Sequence, residues 1–285
     1  MGFVQETITT PDGIKLVADV AGPVNAPAVV LMHGGGQTRH SWHGAMEHLA
    51  RDGYHVVSYD ARGHGESSWS PKGDYAVPAL ASDLRAVLAR IPGPVALVGA
   101  SMGGMTAFYT AGTSGDASPI KALVMVDIVL HPARVGTDKI VKFMNSHPNG
   151  FASIDEVVDA VAAYNPDRPR PKDTSGLYKN LRKREDGRLY WHWDPRLLKA
   201  NAEPPIFTDY LVSVAHNVKV PTLLVRGGHS DVVDDKGVEE MKRLVPQTEV
   251  YDVAGAGHMV AGDRNDAFNA GVTSFLHRHL PAPRR

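Results

Sequence analysis

Short, almost wholly apolar runs recur along the chain, and each stops abruptly at a glycine-rich or polar turn. Ala28–Met32 ends at His33 and three glycines. "YHVVSYD" ends in "ARGHGES", "PVALVGA" runs into Ser101-Met102-Gly103-Gly104, and "VPTLLVRGG" into "HSD". A five- or six-residue run with no polar alternation is buried on both faces, the condition of a strand inside a parallel sheet. Between the runs lie helical segments. Ser41–Asp52 brings Trp42, Met46 and Leu49 roughly onto one face. Pro78–Ile91 sets Leu80, Leu84, Val87, Leu88 and Ile91 at helical spacing. Strands alternating with helices predict crossover units and a parallel α/β sheet. Ahead of them, "FVQETITT" and "IKLVADV" flank Pro11-Asp12-Gly13 and read as a hairpin.

The texture changes after "IKALVMVDIVL". From His131 to about Val214 there are no strong buried strands, only helix-like pieces near Ile154–Tyr164 and Phe207–Ala215 and a solvated proline-rich stretch, "NPDRPRPKD". The α/β pattern then resumes, with a helix around Val238–Leu244, the strand "TEVYDVA" and a last helix from about Asp263 to Leu280. The expected organisation is one α/β core, residues 1–130 and 215–285, interrupted by an inserted, mainly helical lid, residues 131–214.

Gly99-Ala100-Ser101-Met102-Gly103 sits where a strand turns into a helix, the spacing of a nucleophile elbow. The turn holds the serine in an unfavourable backbone conformation, and the glycines let strand and helix approach closely. A serine hydroxyl needs a general base, and the base needs a group that fixes its tautomer. His258, in "VAGAGHMVAGD" after the last strand, is the candidate base. Asp231, in "RGGHSDVVDD" after the preceding strand, is the candidate acid, with Asp127 at the end of its own strand as the rival. Asp234 and Asp235 read as the start of the next helix. Two oxyanion donors are expected: the Met102 N–H behind the nucleophile, and Gly35, with Gly36 as second choice, in "HGGGQTRHSW".

Composition narrows the chemistry. The chain has 285 residues and no cysteine, which excludes disulfides, thiolate catalysis and cysteine-ligated metals. A formal net charge of −1 offers no polybasic field for nucleic acid or an anionic membrane. The N-terminus lacks the basic-then-apolar pattern of a signal peptide, and no apolar run approaches a membrane span. A cytoplasmic protein acting on a small molecule, with no metal or cofactor, is the expectation; the sequence does not indicate an oligomeric state.

"LMHGGGQTRHSW", "YDARGHGES", "VGASMGG", "RGGHSDVV" and "GAGHMVAGD", in that order, resemble the α/β-hydrolase fold superfamily. More narrowly, they resemble its branch of epoxide hydrolase-like proteins, metal-free haloperoxidases or perhydrolases, and carboxylesterases. The resemblance implies a mostly parallel eight-stranded sheet with residues 131–214 as a lid over the site. It also implies a serine hydrolase of small or medium carboxylic esters or lactones. Epoxide hydrolases and haloalkane dehalogenases of that branch carry Asp at the elbow, where this chain has Ser101. C–C bond hydrolases usually carry Trp after the catalytic His, where this chain has Met259. Perhydrolysis remains the main alternative, ahead of C–C hydrolysis and of a ligand sensor without turnover. Trp191 and Trp193, two apart in "YWHWDP", are candidate pocket residues, as is Trp42 behind the oxyanion loop. Arg62 and His64 are expected to brace their turn.

Overall fold

A computed structural model describes residues 2–166, 170, 173–200, 205–260 and 265–282. The main sheet has eight strands: β1 (Val4–Thr9), β2 (Lys15–Ala21), β3 (Ala28–Met32), β4 (His55–Tyr59), β5 (Val95–Ala100), β6 (Ile120–Val126), β9 (Thr222–Gly227) and β10 (Thr248–Val253). Their spatial order is β1-β2-β4-β3-β5-β6-β9-β10. The β1–β2 hairpin pairs antiparallel, β2 joins β4 antiparallel, and every later pairing is parallel. The apolar runs are the inner strands. Every residue of β3 and β4 is buried, as expected for a sheet covered on both faces.

Helices cover both faces. α2 (Val77–Leu88), α3 (Met102–Thr113) and α8 (Asp235–Leu244) pack Leu84, Phe108 and Met241 against one face. On the other face, α1 (His43–Arg51) and α9 (Asn265–His279) bring Met46, Phe268 and Phe275. Local sequence sets the helix starts. Pro78 stands in the first turn of α2, where its missing N–H costs nothing. The Asp234 side chain caps α8 by accepting from the Gly237 N–H.

Between β6 and β9 the chain leaves the sheet to form α4 (Arg134–Met144), α5 (Ile154–Tyr164), the antiparallel pair β7 (Leu181–Lys183) and β8 (Leu189–Trp191), α6 (Arg196–Ala200) and α7 (Pro205–Val214). The Ser153 side chain caps α5, accepting from the Glu156 N–H. Leu211 and Val214 of α7 join the core cluster on the face of α2 and α3. The last residues of the predicted lid therefore pack with the core, and the segment that meets the nucleophile turn lies earlier. There Met144, Trp193 and Leu197 form an apolar cluster with Met102, Tyr75 and Leu80. Residues 167–169 and 171–172 of the proline-rich stretch, and the expected start of the last helix at Asp263, lie outside the described residues. Among the described residues no helix is long and apolar enough to cross a membrane.

Candidate active site

Ser101 is the single residue between the end of β5 and the start of α3, and its backbone sits at φ 47, ψ −114. A positive φ is costly for a residue with a Cβ, and it persists only where the surroundings enforce it. The enforcement comes from close packing. A Cβ on Gly103 would stand 2.3 Å from the Met32 carbonyl oxygen, and one on Gly99 would stand 2.2 Å from that of Gly103. Glycine at both places lets α3 press onto β3 and β5, and the turn at Ser101 is what remains possible. Gly34 lies alongside, where an added Cβ would be 3.4 Å from the Ser101 Cβ.

A second strained residue ends the neighbouring strand. Asp127, directly after β6, has φ 49 and no exposed surface. Its carboxylate accepts three hydrogen bonds: from the Gly227 N–H at 2.9 Å, from the Ser230 hydroxyl at 2.6 Å and from the His258 Nδ1–H at 2.7 Å. Nδ1 of His258 is thereby held as the protonated nitrogen, which leaves Nε2 to accept a proton. The His258 side chain keeps 14% of its surface open, so it is reachable from outside while its partner is sealed.

The expected acid is therefore corrected. The Asp231 carboxylate pairs with Lys139 at 3.2 Å on a partly exposed surface. Its backbone abuts α4, where a Cβ on Gly136 would lie 2.3 Å from the Asp231 carbonyl oxygen. Asp127 holds His258 instead. The loop after β9 contributes not its own carboxylate but Ser230, whose hydroxyl donates to Asp127 and accepts the Val232 and Val233 N–H groups. Both aspartates lie between Ser101 and His258 in the sequence, so chain order did not separate them. The available signal was an apolar strand ending directly in Asp. Nothing local marked Ser230.

The glycine loop after β3 assigns its N–H groups. Gly34 donates to Gln37 Oε1 at 2.9 Å, and Gly36, at φ +75, donates to His64 Nε2 at 3.1 Å. Gly36, the second choice for an oxyanion donor, is thus already committed. Among the described residues, neither the Gly35 N–H nor the Met102 N–H meets an acceptor. Gln37 also reaches Met259 Sδ at 3.1 Å and so ties this loop to the His258 loop.

The three tryptophans separate. Trp42 is buried on the far face of the sheet, with its ring 5.7 Å from that of Phe268, and belongs to the core rather than to a pocket. Trp191 and Trp193 stack at 4.9 Å and 12°, with Trp191 running on to Phe143 and Phe151. Trp193 and Met144 lie against Gly36 and Gly35, above the loop that carries the free N–H.

Residues 27–264 match the family model for the alpha/beta hydrolase fold. The chain belongs to the alpha/beta hydrolase family. Among relatives of this alpha/beta hydrolase, Esterase Rv0045c of Mycobacterium tuberculosis is 28% identical over 249 residues, 84% of this chain and 79% of that protein. The mouse (Mus musculus) sn-1-specific diacylglycerol lipase ABHD11 is 32% identical over 271 residues, 90% of this chain and 82% of its own. A solved E-2-(acetamidomethylene)succinate hydrolase superposes with a TM-score of 0.85 at 23% identity, covering 96% of this chain and 99% of that one, a likeness of fold.

Three buried imidazoles complete the surroundings of the site in this alpha/beta hydrolase. His33, His64 and His192 have ring centroids 5.0 and 5.8 Å apart in sequence along the cluster. Burial pushes all three below the ordinary imidazole range, His64 well below and His192 to about 3, with the neighbouring rings adding to the effect on the latter two. Each ring nitrogen of the three is engaged by backbone, so the cluster has no lone pair left for a metal. Away from this cluster, burial and then the charge of Asp231 push the Tyr164 hydroxyl up to about 12.

Proposed function

We propose that this alpha/beta hydrolase is a serine hydrolase of small or medium carboxylic esters or lactones, working through an acyl-enzyme on Ser101. The observation that carries the reading is the Asp127 carboxylate, sealed behind His258 and bonded to its Nδ1, an arrangement that leaves Nε2 to take a proton. It accompanies a serine held at positive φ at a helix N-terminus. The esterase and lipase among the relatives support ester substrates.

In this reading the Ser101 hydroxyl attacks the ester carbonyl carbon as His258 Nε2 takes its proton. Asp127 holds the ring and balances the imidazolium. The carbonyl oxygen becomes an alkoxide held by the Gly35 and Met102 N–H groups. As the C=O bond re-forms, the C–O bond to the alcohol breaks and the alcohol departs with the proton from His258. Water then attacks the acyl carbon, again giving its proton to His258, and Ser101 recovers it as the acid leaves. Trp193 and Met144, lying against the glycine loop, wall the pocket, and the inserted segment that carries them acts as its cover.

The test uses p-nitrophenyl esters of graded acyl length together with a fluorophosphonate label. Ser101→Ala should abolish labelling and turnover. Asp127→Asn should lower kcat on the order of 10⁴-fold, since it leaves the imidazole in the wrong tautomer. Asp231→Asn should leave kcat within about twofold, as expected for a half-exposed pair. Full activity in Ser101→Ala, or a large loss only in Asp231→Asn, would overturn the assignment.

A further inference from the structure

The three buried histidines grip three successive peptide planes of the glycine loop. His33 Nε2 accepts the Ala61 N–H at 2.9 Å, so its proton is on Nδ1, which donates to the Gly34 carbonyl at 2.8 Å. A trans peptide is planar, so fixing the Gly34 C=O fixes the Gly35 N–H in the opposite direction. The next plane carries the Gly36 N–H, which donates to His64 Nε2; His64 Nδ1–H in turn donates to the Arg62 carbonyl at 3.1 Å. The third plane carries the Gly36 C=O. Its donor is His192 Nε2–H at 3.3 Å, because His192 Nδ1 is occupied in accepting the Gly65 N–H at 2.6 Å.

Two of these histidines come from the loops after β3 and β4. The third does not, since His192 belongs to the segment inserted between β6 and β9. That segment holds the same turns at several other points. Arg182 donates to the Gly65 carbonyl, and the Asp194 N–H donates to the Gly63 carbonyl at 2.9 Å. Trp193 packs where a side chain on Gly36 would point. Among these contacts His192 alone bridges Gly36 and Gly65, and it does so with both nitrogens of a ring that is 1% exposed.

We propose that His192 is a positioning residue for the oxyanion site. By clamping the Gly36 carbonyl against the Gly65 N–H, it couples the seating of the inserted segment to the orientation of the Gly35 N–H. The inserted segment then does more than wall the pocket. When it is seated, the loop after β3 is locked with one N–H left over and aimed at the site. When it lifts, the Gly36 carbonyl loses its donor, and the loop keeps only its holds at Gly34 and at the Gly36 N–H, so the Gly35 N–H is held less firmly. The inference rests on the serine-hydrolase reading for its effect on catalysis, and on hydrogen bonds alone for its effect on the loop.

Two substitutions separate the clamp from simple packing. His192→Asn keeps an oxygen near the position of Nδ1 for the Gly65 N–H, but its amide N–H₂ stops short of the position of Nε2 and does not reach the Gly36 carbonyl. His192→Gln places its amide N–H near the position of Nε2. His192→Asn should lower kcat for short p-nitrophenyl esters at least tenfold with KM changed less than threefold, and His192→Gln should recover part of that loss. A boronic acid that forms a tetrahedral adduct with Ser101 should lose affinity in His192→Asn by a factor that follows kcat. Hydrogen exchange of peptides spanning residues 33–37 should quicken at least tenfold in His192→Asn. Unchanged kcat and unchanged exchange in a variant that merely melts earlier would overturn the proposal. If the wild-type protein hydrolyses no ester and takes no serine label, the functional reading fails, and the exchange of residues 33–37 alone decides the clamp: faster supports it, unchanged rejects it.

Discussion

Lowering the pH below 6.5 should destabilise this protein through its histidine cluster, and His192 allows the size of the effect to be worked out. Its ring is buried between His64, His33 and the glycine turns, so the folded chain holds it neutral down to about pH 3, chiefly through burial and secondarily through His33. In the unfolded chain the imidazole titrates near 6.5. A depressed folded pKa means that the unfolded state binds the proton first, so stability is intact above about 6.5 and falls as pH drops toward 3. At pH 5 the unfolded chain gains a factor of about 30 from this one group, about 2 kcal/mol. His33 and His64 shift in the same direction for the same cause, so their losses add to it. Against a total stability of roughly 5–15 kcal/mol for a domain, the cluster is a large term. The assay is urea unfolding of wild type and His192→Asn at pH 7 and pH 5. Asn does not titrate, so the variant is less stable at pH 7 but should lose about 2 kcal/mol less than wild type between the two conditions. An equal loss in both proteins would refute the reasoning, because it would mean that His192 is not held neutral by the fold.

Other outcomes follow from single contacts. Gly103→Ala should cost about 3 kcal/mol or more, read as a lowered melting temperature, because its Cβ would meet the Met32 carbonyl at 2.3 Å against backbone that cannot move aside. Ser230→Ala removes one of three donors to Asp127, a hydrogen bond to a charged group worth about 1.5–3 kcal/mol. It should lower kcat by about tenfold or more with little change in KM, as steady-state kinetics would report. Trp42→Ala should cost about 3–5 kcal/mol of stability in denaturant unfolding, yet leave the kcat of the folded enzyme near wild type, since the ring packs on Phe268 away from the site.

Much of this molecule was legible in its residue order. Runs such as Ala28–Met32 and Val95–Ala100 have no polar face to offer water, so they had to be inner strands, and the order of strands and helices then left few ways to stack them. Gly99-x-Ser101-x-Gly103 was legible for the same kind of reason. The steric demand is local, and glycine at both ends meets it. Gly35 and Met102 stood out as donor candidates from their positions beside that turn, and among the described residues neither N–H meets an acceptor.

Tertiary structure decided everything that depended on a partner distant in sequence. Asp127 and Asp231 are the same residue type in the same chain order. What separates them is a backbone turn at φ 49 that aims one carboxylate at Gly227, Ser230 and His258, while the other faces Lys139. Gly36 looked as free as Gly35 until His64, 28 residues on, accepted its N–H. Trp42 follows the oxyanion loop in sequence, but the helix it introduces carries it to the opposite face of the sheet. His192 gave no local sign of its role, because a histidine between two tryptophans is ambiguous until the glycine turns close around it. Periodicity and steric need are properties of neighbouring residues and can be read along the chain. Which donor meets which acceptor is a property of the folded volume, set only when strands, turns and the inserted segment come together.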